Sequence, residues 1–272
     1  MNRIEKLLHG LRRDGRGLEI GPSHNPVAPK RGGFRVETVD HLDRDGLIAK
    51  YRGHGVDLDR IEPVDHVWQG QALTDIIRDH GQYDWIIASH VIEHVPDLVG
   101  FVNQCATLLA PEGVLSLAVP DLRNSFDCMR WPTTTGELLQ AHVDRRKTHG
   151  PGKVFDYFTT VVSRDGAIVW GKPGPGRYAL VHSFEQAEQF MREAIETGAY
   201  RDLHTWVFTP TSFRLAIADL RRLGMLAMGE TRFFDSVDGE FHVSLGKQAP
   251  LPEIDRIQWM QRIRSELPEL LG

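Results

Sequence analysis

The chain has 272 residues, 41% of them hydrophobic and 25% charged, with a net charge of −5, as expected for one large soluble domain or a domain with a sizeable insertion. That balance, with no basic stripe, argues against a nucleic-acid partner, and no uncharged apolar run is long enough to span a bilayer. Two cysteines, Cys105 and Cys128, make no disulfide framework, and the N-terminus lacks a signal-peptide pattern, so a cytoplasmic location is expected.

The opening residues read as a short basic amphipathic helix, with Ile4, Leu7, Leu8 and Leu11 on one face. Short apolar runs then alternate with helix-like stretches, the pattern of a parallel sheet with crossover helices. "GLEIG" ends a first strand, "FRVETVDH" is a second, and "DHVWQG" a third, followed by a helix in "ALTDIIRDH". "YDWIIAS" is a fourth strand. A helix over 96–109 follows, with Pro96 in its first turn and Pro111-Glu112-Gly113 as its stop. "VLSLAVPD" is a buried fifth strand.

The regular alternation breaks at Asp121. Residues 122–205 carry polar segments, the "KPGPGR" loop at 172–177 and many aromatics, with one clear helix. Its signals are a Ser183/Gln186 capping box, an apolar face of Ala187, Phe190, Met191, Ala194 and Ile195, and a stop at Gly198. Thr209-Pro210 then starts a helix with Phe213, Ala216, Ile217 and Leu220 inward. "MLAMGETRFFD" and "EFHVSLGK" flank "SVDG" as a terminal hairpin, and 250–272 is an outer helical tail. The expected fold is α/β: a doubly wound, mostly parallel seven-stranded sheet ending in an antiparallel hairpin. Residues 1–121 and 206–249 form the main domain. An insertion after a strand's carboxyl end lies beside the ligand crevice of such folds, so 122–205 is read as a substrate lid, a surface elaboration or oligomer contact being the alternative.

The loop Glu19-Ile20-Gly21-Pro22-Ser23-His24-Asn25 keeps one of the three glycines of a dinucleotide fingerprint. Those glycines let backbone approach a pyrophosphate. S-adenosylmethionine has no phosphate, and an acid with a compact polar turn suits its zwitterionic end; a simple strand-to-turn junction is the bland alternative. Asp40, 21 residues after Glu19, stands where an acid accepts from ribose hydroxyls, although a solvated turn aspartate would look the same.

From Tyr83 to Asp121 the sequence resembles the class I S-adenosylmethionine-dependent methyltransferases. The resemblance rests on Tyr83-Asp84 in the fourth strand, the Val91-Ile92-Glu93-His94 turn, the helix after it, Leu109-Ala110-Pro111-Glu112-Gly113 and the strand Val114–Val119. It covers roughly 15–121, and the helix and hairpin at 209–247 fit the same fold. It implies S-adenosyl-L-methionine as cofactor, with Glu19, Gly21, Pro22, Ser23, His24 and Asn25 at the methionine end. Asp40 and His41 would hold the ribose. Gln71, Ala72 and Leu73 would border the adenine, although the family often has an acid where this chain has Gln71. Ser89 and His90 would line the methyl-transfer site.

Methyl transfer needs an aligned nucleophile and often a base, for which His90, His182 and His204 are the candidates. His90-Val91-Ile92-Glu93-His94 also fits the H-x-x-E-H pattern of inverted zinc proteases. That reading is set aside, because the segment directly follows a strand and Pro96 disfavours a helical Val95; no metal is expected. "HTWVFTPTSF" and the hairpin look similar to methyltransferases of bacterial surface glycans and secondary metabolites. The expected reaction is O-methylation of a small-molecule or sugar hydroxyl, with a homodimer left open. The alternatives are a non-methyl transfer or cyclisation on the same cofactor site, and a non-catalytic binding module.

Overall fold

The computed structural model describes residues 1–172 and 174–267. In chain order the elements are α1 Arg3–Leu7, β1 Gly17–Ile20, β2 Val36–Asp40, α2 Arg44–Tyr51, β3 His66–Val67, α3 Leu73–Ile76, β4 Tyr83–Ser89, α4 Leu98–Leu108 and β5 Leu109–Pro120. Then come α5 Thr135–Val143, α6 Pro151–Thr160, β6 Val162–Arg164, β7 Ala167–Ile168, β8 Tyr178–Leu180, α7 Phe184–Thr197, α8 Pro210–Arg222, β9 Gly229–Val237, β10 Glu240–Gly246 and α9 Arg256–Glu266.

Seven strands form the main sheet in the order β3-β2-β1-β4-β5-β10-β9. β1 to β5 pair in parallel, and β10 runs antiparallel between β5 and β9. This is the expected doubly wound sheet with its terminal hairpin. Alternation along β4 explains why that strand reads as continuously apolar. Ile86 and Ala88 join the larger core with Leu18, Leu115, Phe213 and Ile217, whereas Trp85 and Ile87 pack on the other face with Leu7, Leu8 and Val36. Strand order reverses between β1 and β4, so the loops after them flank the switch point at the carboxyl end of the sheet, where ligands bind in such folds.

Several local expectations shift. The third strand is two residues long because it is an edge held only by Val39↔His66 and Asp40↔Val67, and the helix after it is a single turn. Pro96 lies outside α4: Val95 is extended (φ −81°, ψ 133°), as a residue before proline prefers, and Asp97 caps the helix by accepting from Gly100 N–H at 2.8 Å. Nor do Pro111-Glu112-Gly113 stop α4. The chain enters β5 at Leu109, and the β4/β5 register slips between Tyr83 and Trp85 to absorb the extra residues.

Within 122–205, Leu138 and Ala141 of α5 join the main core. Val154, Phe158, Ala187 and Leu203 make a separate small core, and β6, β7 and β8 form a second sheet. The Ser183 capping box forms and Gly198 ends α7 with φ 59°, but Ile195 is exposed rather than part of the packed face. The expected loop at 172–177 and tail at 250–272 fall partly outside the described residues, at Pro173 and 268–272. No helix among the described residues is long and apolar enough to cross a membrane.

Candidate active site

The loop after β1 is built by two buried acids. Glu19, 2% exposed, accepts from Val27 N–H at 2.6 Å and Ala28 N–H at 3.0 Å. Its carboxylate thus holds the far end of the loop, and burial pushes its pKa up to about 7. Asp40, at the end of β2, accepts from Ser23 N–H at 2.9 Å through Oδ2. Its Oδ1 takes His41 N–H at 2.8 Å and meets the His41 ring Nδ1 at 2.6 Å. Asn25 N–H bonds Pro22 C=O at 2.9 Å, and the His24 ring packs on Tyr51 at 4.6 Å. Gly21 turns with φ 70°, and a Cβ there would come 2.9 Å from Val91. Loop and post-β4 turn are therefore in close approach, and only glycine meets both demands.

Gln71 is exposed, Ala72 half-buried and Leu73 buried. Trp68 Nε1 donates to Gln71 C=O at 2.6 Å, and Leu73 N–H to Gln104 Oε1 at 2.6 Å. Trp68 stacks on Phe101 at 6.0 Å, giving this corner an apolar side.

At the mouth of β4, His90 adopts a left-handed φ of 54°, unusual for a non-glycine residue and a form of local strain found at functional sites. Its Nε2 meets Glu240 Oε2 at 2.6 Å, and its Nδ1 lies 3.6 Å from Glu93 Oε1. Arg3, from α1, bonds Ser89 Oγ and pairs with Glu240 at 2.7 Å. Burial alone would raise the Glu240 pKa; His242 at 3.1 Å, the bond from His90 and the Arg3 charge outweigh it and hold the carboxyl well below its usual range.

The segment after β5 completes one wall. Phe126 lies 6.1 Å from Trp170 and 4.8 Å from His204, while Trp170 lies 5.9 Å from His90. Asp127, 1% exposed, holds His204 Nδ1 at 2.6 Å and Arg130 at 2.9 Å. Burial would raise the Asp127 pKa, but His204 and then Arg130 outweigh it and keep the carboxyl low. Arg130 also donates to His204 C=O at 2.6 Å. Glu93 C=O accepts Thr205 N–H at 2.8 Å, which brings His204 against the β4 turn. His94 and His204 rings meet edge-on at 4.8 Å, and His94 Nδ1 sits 2.8 Å from Asp202.

Of the three candidate bases, His90 and His204 share this enclosure. His182 lies apart, edge-on to Phe158 at 4.8 Å in the small core of α6 and α7. The H-x-x-E-H segment is no zinc-protease helix: residues 92–94 form a single 3₁₀ turn and Val95 is extended. Sequence reasoning missed Arg3, Asp127, Arg130, Glu240 and His242. The available signal was a charged or polar residue set inside an apolar run, as in "SFDCM" and "GEFHVSLG".

A family model described as a methyltransferase domain matches residues 1–164. A ubiquinone biosynthesis O-methyltransferase of Methylocella silvestris is similar, 31% identical over 113 residues, which is 41% of this chain and 40% of that protein. The chain therefore matches well under two thirds of that relative. Among solved structures, the CcbJ methyltransferase of Streptomyces caelestis gives a TM-score of 0.47 at 13% identity, covering 89% of this chain and 87% of its own. A SAM-dependent methyltransferase from Aquifex aeolicus gives 0.44 at 13% identity, covering 89% and 88%. The assignment rests on the family model, which spans more than half the sequence: the chain belongs to the methyltransferase-domain family.

Proposed function

We propose that the chain transfers a methyl group from S-adenosylmethionine to a hydroxyl of a small molecule or sugar. The observation that carries this reading is the position of His90. It stands at the carboxyl end of β4, at the switch point of a methyltransferase-family sheet, with Nε2 fixed by Glu240.

The loop fits this cofactor better than a dinucleotide. Its Ser23, Asn25, Val27 and Ala28 N–H groups all bond within the site, which leaves a pyrophosphate without the amide cradle it needs. S-adenosylmethionine needs none; when bound, it supplies an electrophilic methyl on a sulfonium and leaves as S-adenosylhomocysteine. Pro22, Ser23, His24 and Asn25 border the methionine end, with Arg3 placed to meet its carboxylate. Asp40 takes the ribose, Ala72 and Leu73 flank the adenine, and Trp170 and Phe126 face the acceptor.

The chain's chemical work is proton handling. A hydrogen bond from His90 Nε2–H to Glu240 leaves Nδ1 unprotonated and able to accept the acceptor's hydroxyl proton. The acceptor oxygen forms the new O–C bond as the C–S pair passes to sulfur. Similarity to an O-methyltransferase over part of the chain supports oxygen as the acceptor atom.

Calorimetry with S-adenosylmethionine tests the premise, and product analysis tests the reaction. Binding with turnover to S-adenosylhomocysteine is the expected result. No heat and no thermal shift at saturating cofactor would overturn it, and methylthioadenosine as the product would remove methyl transfer.

A further inference from the structure

Glu93 is 1% exposed, yet neither carboxylate oxygen has a hydrogen-bond partner among the described residues. An ionised carboxylate left so is strongly unfavourable unless something pairs with it. The nearest cationic candidates do not reach bonding distance: His90 Nδ1 is 3.6 Å away and His94 Nε2 is 3.9 Å away. What surrounds Glu93 is a donor set. One ligand atom each from Glu93, His94 and His204 lie within 4.8 Å of one another.

His204 is prepared as a ligand, and His94 stands beside it with no aligned hydrogen bond on its Nδ1. His204 Nδ1 meets Asp127 at 2.6 Å and His94 Nδ1 sits 2.8 Å from Asp202. On His204 the Asp127 carboxylate at Nδ1 fixes the tautomer and turns Nε2 into a free lone pair. Asp127 is itself held by Arg130, so this support is rigid. Two imidazoles and one carboxylate suit a divalent first-row transition cation such as zinc, with a further position open.

We propose that Glu93, His94 and His204 bind such a divalent cation, whose open position faces the enclosure of His90, Phe126 and Trp170. Its role rests on the methyl-transfer reading: the acceptor hydroxyl binds the cation, which lowers its pKa. The proton passes to His90 Nδ1, the oxygen attacks the methyl carbon, and the C–S pair leaves on sulfur. The cation selects acceptors with an oxygen ligand and disfavours amines that stay protonated.

The test is cobalt(II) chloride titrated into chelator-treated full-length protein, followed by visible ligand-field bands and calorimetry, with zinc as competitor. One equivalent is expected, giving a histidine-ligated spectrum that zinc abolishes. Glu93→Gln and His204→Gln should each weaken binding about 100-fold or more, and Asp127→Asn about 10- to 100-fold; His182→Ala should leave it unchanged. No cobalt or zinc binding by the wild-type protein at millimolar metal overturns the proposal, and so does wild-type affinity in a folded Glu93→Gln variant. If Glu93→Gln lacks a cooperative melt, His204→Gln and the wild-type titration decide. S-adenosylmethionine binding is measured separately. Cation binding without cofactor binding removes the methyltransferase reading alone, whereas cofactor turnover unchanged by chelation, with no cation bound, removes the cation site alone.

Discussion

His90 and Glu240 are 150 residues apart in sequence and meet at 2.6 Å across the carboxyl end of the sheet. The contact joins the turn after β4 to the first residue of β10, and Arg3 closes it from the N-terminal helix. If this pair sets the tautomer of the base, the two residues act as a unit. His90→Ala should lower kcat about 10²- to 10⁴-fold, with S-adenosylhomocysteine affinity within a few-fold of wild type. Glu240→Gln should lower kcat less, because the amide oxygen still accepts from the ring but without the charge. Initial rates across pH, paired with calorimetry, check both. Normal turnover in His90→Ala would move the base elsewhere.

Asp40 and His41 should part company on mutation. Asp40 bridges Ser23 N–H and His41, so Asp40→Ala loosens the loop and removes the proposed ribose acceptor together. A loss of about 1.5–3 kcal/mol in cofactor affinity is expected, the size of a hydrogen bond to a charged group. The His41 ring occupies the Asp40 oxygen that a ribose hydroxyl would take, and is 46% exposed. His41→Ala should therefore leave cofactor affinity unchanged or raise it. Equal weakening by both substitutions, measured by calorimetry, would show that His41 binds the ligand rather than yielding to it.

Glu19 predicts a pH dependence of stability. Its folded pKa of about 7 stands above the ordinary 4.5, so between these values the folded chain holds more protons than the unfolded one. Stability from this group then falls as pH rises from about 4.5 to about 7 and levels off above, by on the order of 3 kcal/mol. Glu19→Gln should be less stable at pH 5, because its amide nitrogen faces a backbone N–H, but should lose this slope. Urea unfolding at pH 5 and pH 7.5 measures both; a parallel slope in the variant would place the titration elsewhere.

Gly21 offers a steric test of the loop. A methyl group there would sit 2.9 Å from Val91 on a backbone with φ 70°. Gly21→Ala should destabilise the chain by about 1–2 kcal/mol. It should also weaken cofactor binding, because the loop and the post-β4 turn must separate. A Gly21→Ala/Val91→Ala double variant should recover part of the loss, since the clash is relieved but the φ strain is not. Thermal melts and cofactor titration of the set separate the two contributions.

The sheet could be read from the sequence because its signals are local. Tyr83–Ser89 is apolar on both faces, and the Thr209-Pro210 helix carries its cap, its inward stripe and its stop within fifteen residues. The loop after β1, Asp40 and His90 could be placed for the same reason, by offset from a strand end. The contacts that give those residues their chemistry could not be. His204 with Asp127, His90 with Glu240 and Arg3 with Ser89 are separated by 77, 150 and 86 residues, and no periodicity links them. Glu93 shows the limit most clearly. Its place in the turn after β4 was readable, but its burial was not, and the segment whose Thr205 N–H bonds Glu93 C=O lies more than a hundred residues on.

Trp170 predicts how the acceptor is held. It is 51% exposed, yet its ring lies near both His90 and Phe126, and the Ser125↔Trp170 bridge anchors its backbone. An exposed aromatic beside the proposed base, with little packing of its own to maintain, is placed to stack on a ligand ring or sugar face. Trp170→Ala should therefore raise acceptor KM about 5- to 30-fold, as expected for about 1–2 kcal/mol of lost contact, with little effect on stability or on S-adenosylhomocysteine affinity. Trp170→Phe should recover most of the loss. If kcat fell with KM unchanged, the ring would act instead by orienting His90, and its loss should then resemble a mild form of Glu240→Gln. Steady-state kinetics of the two Trp170 variants, beside Glu240→Gln, separate a wall of the acceptor site from a support of the base.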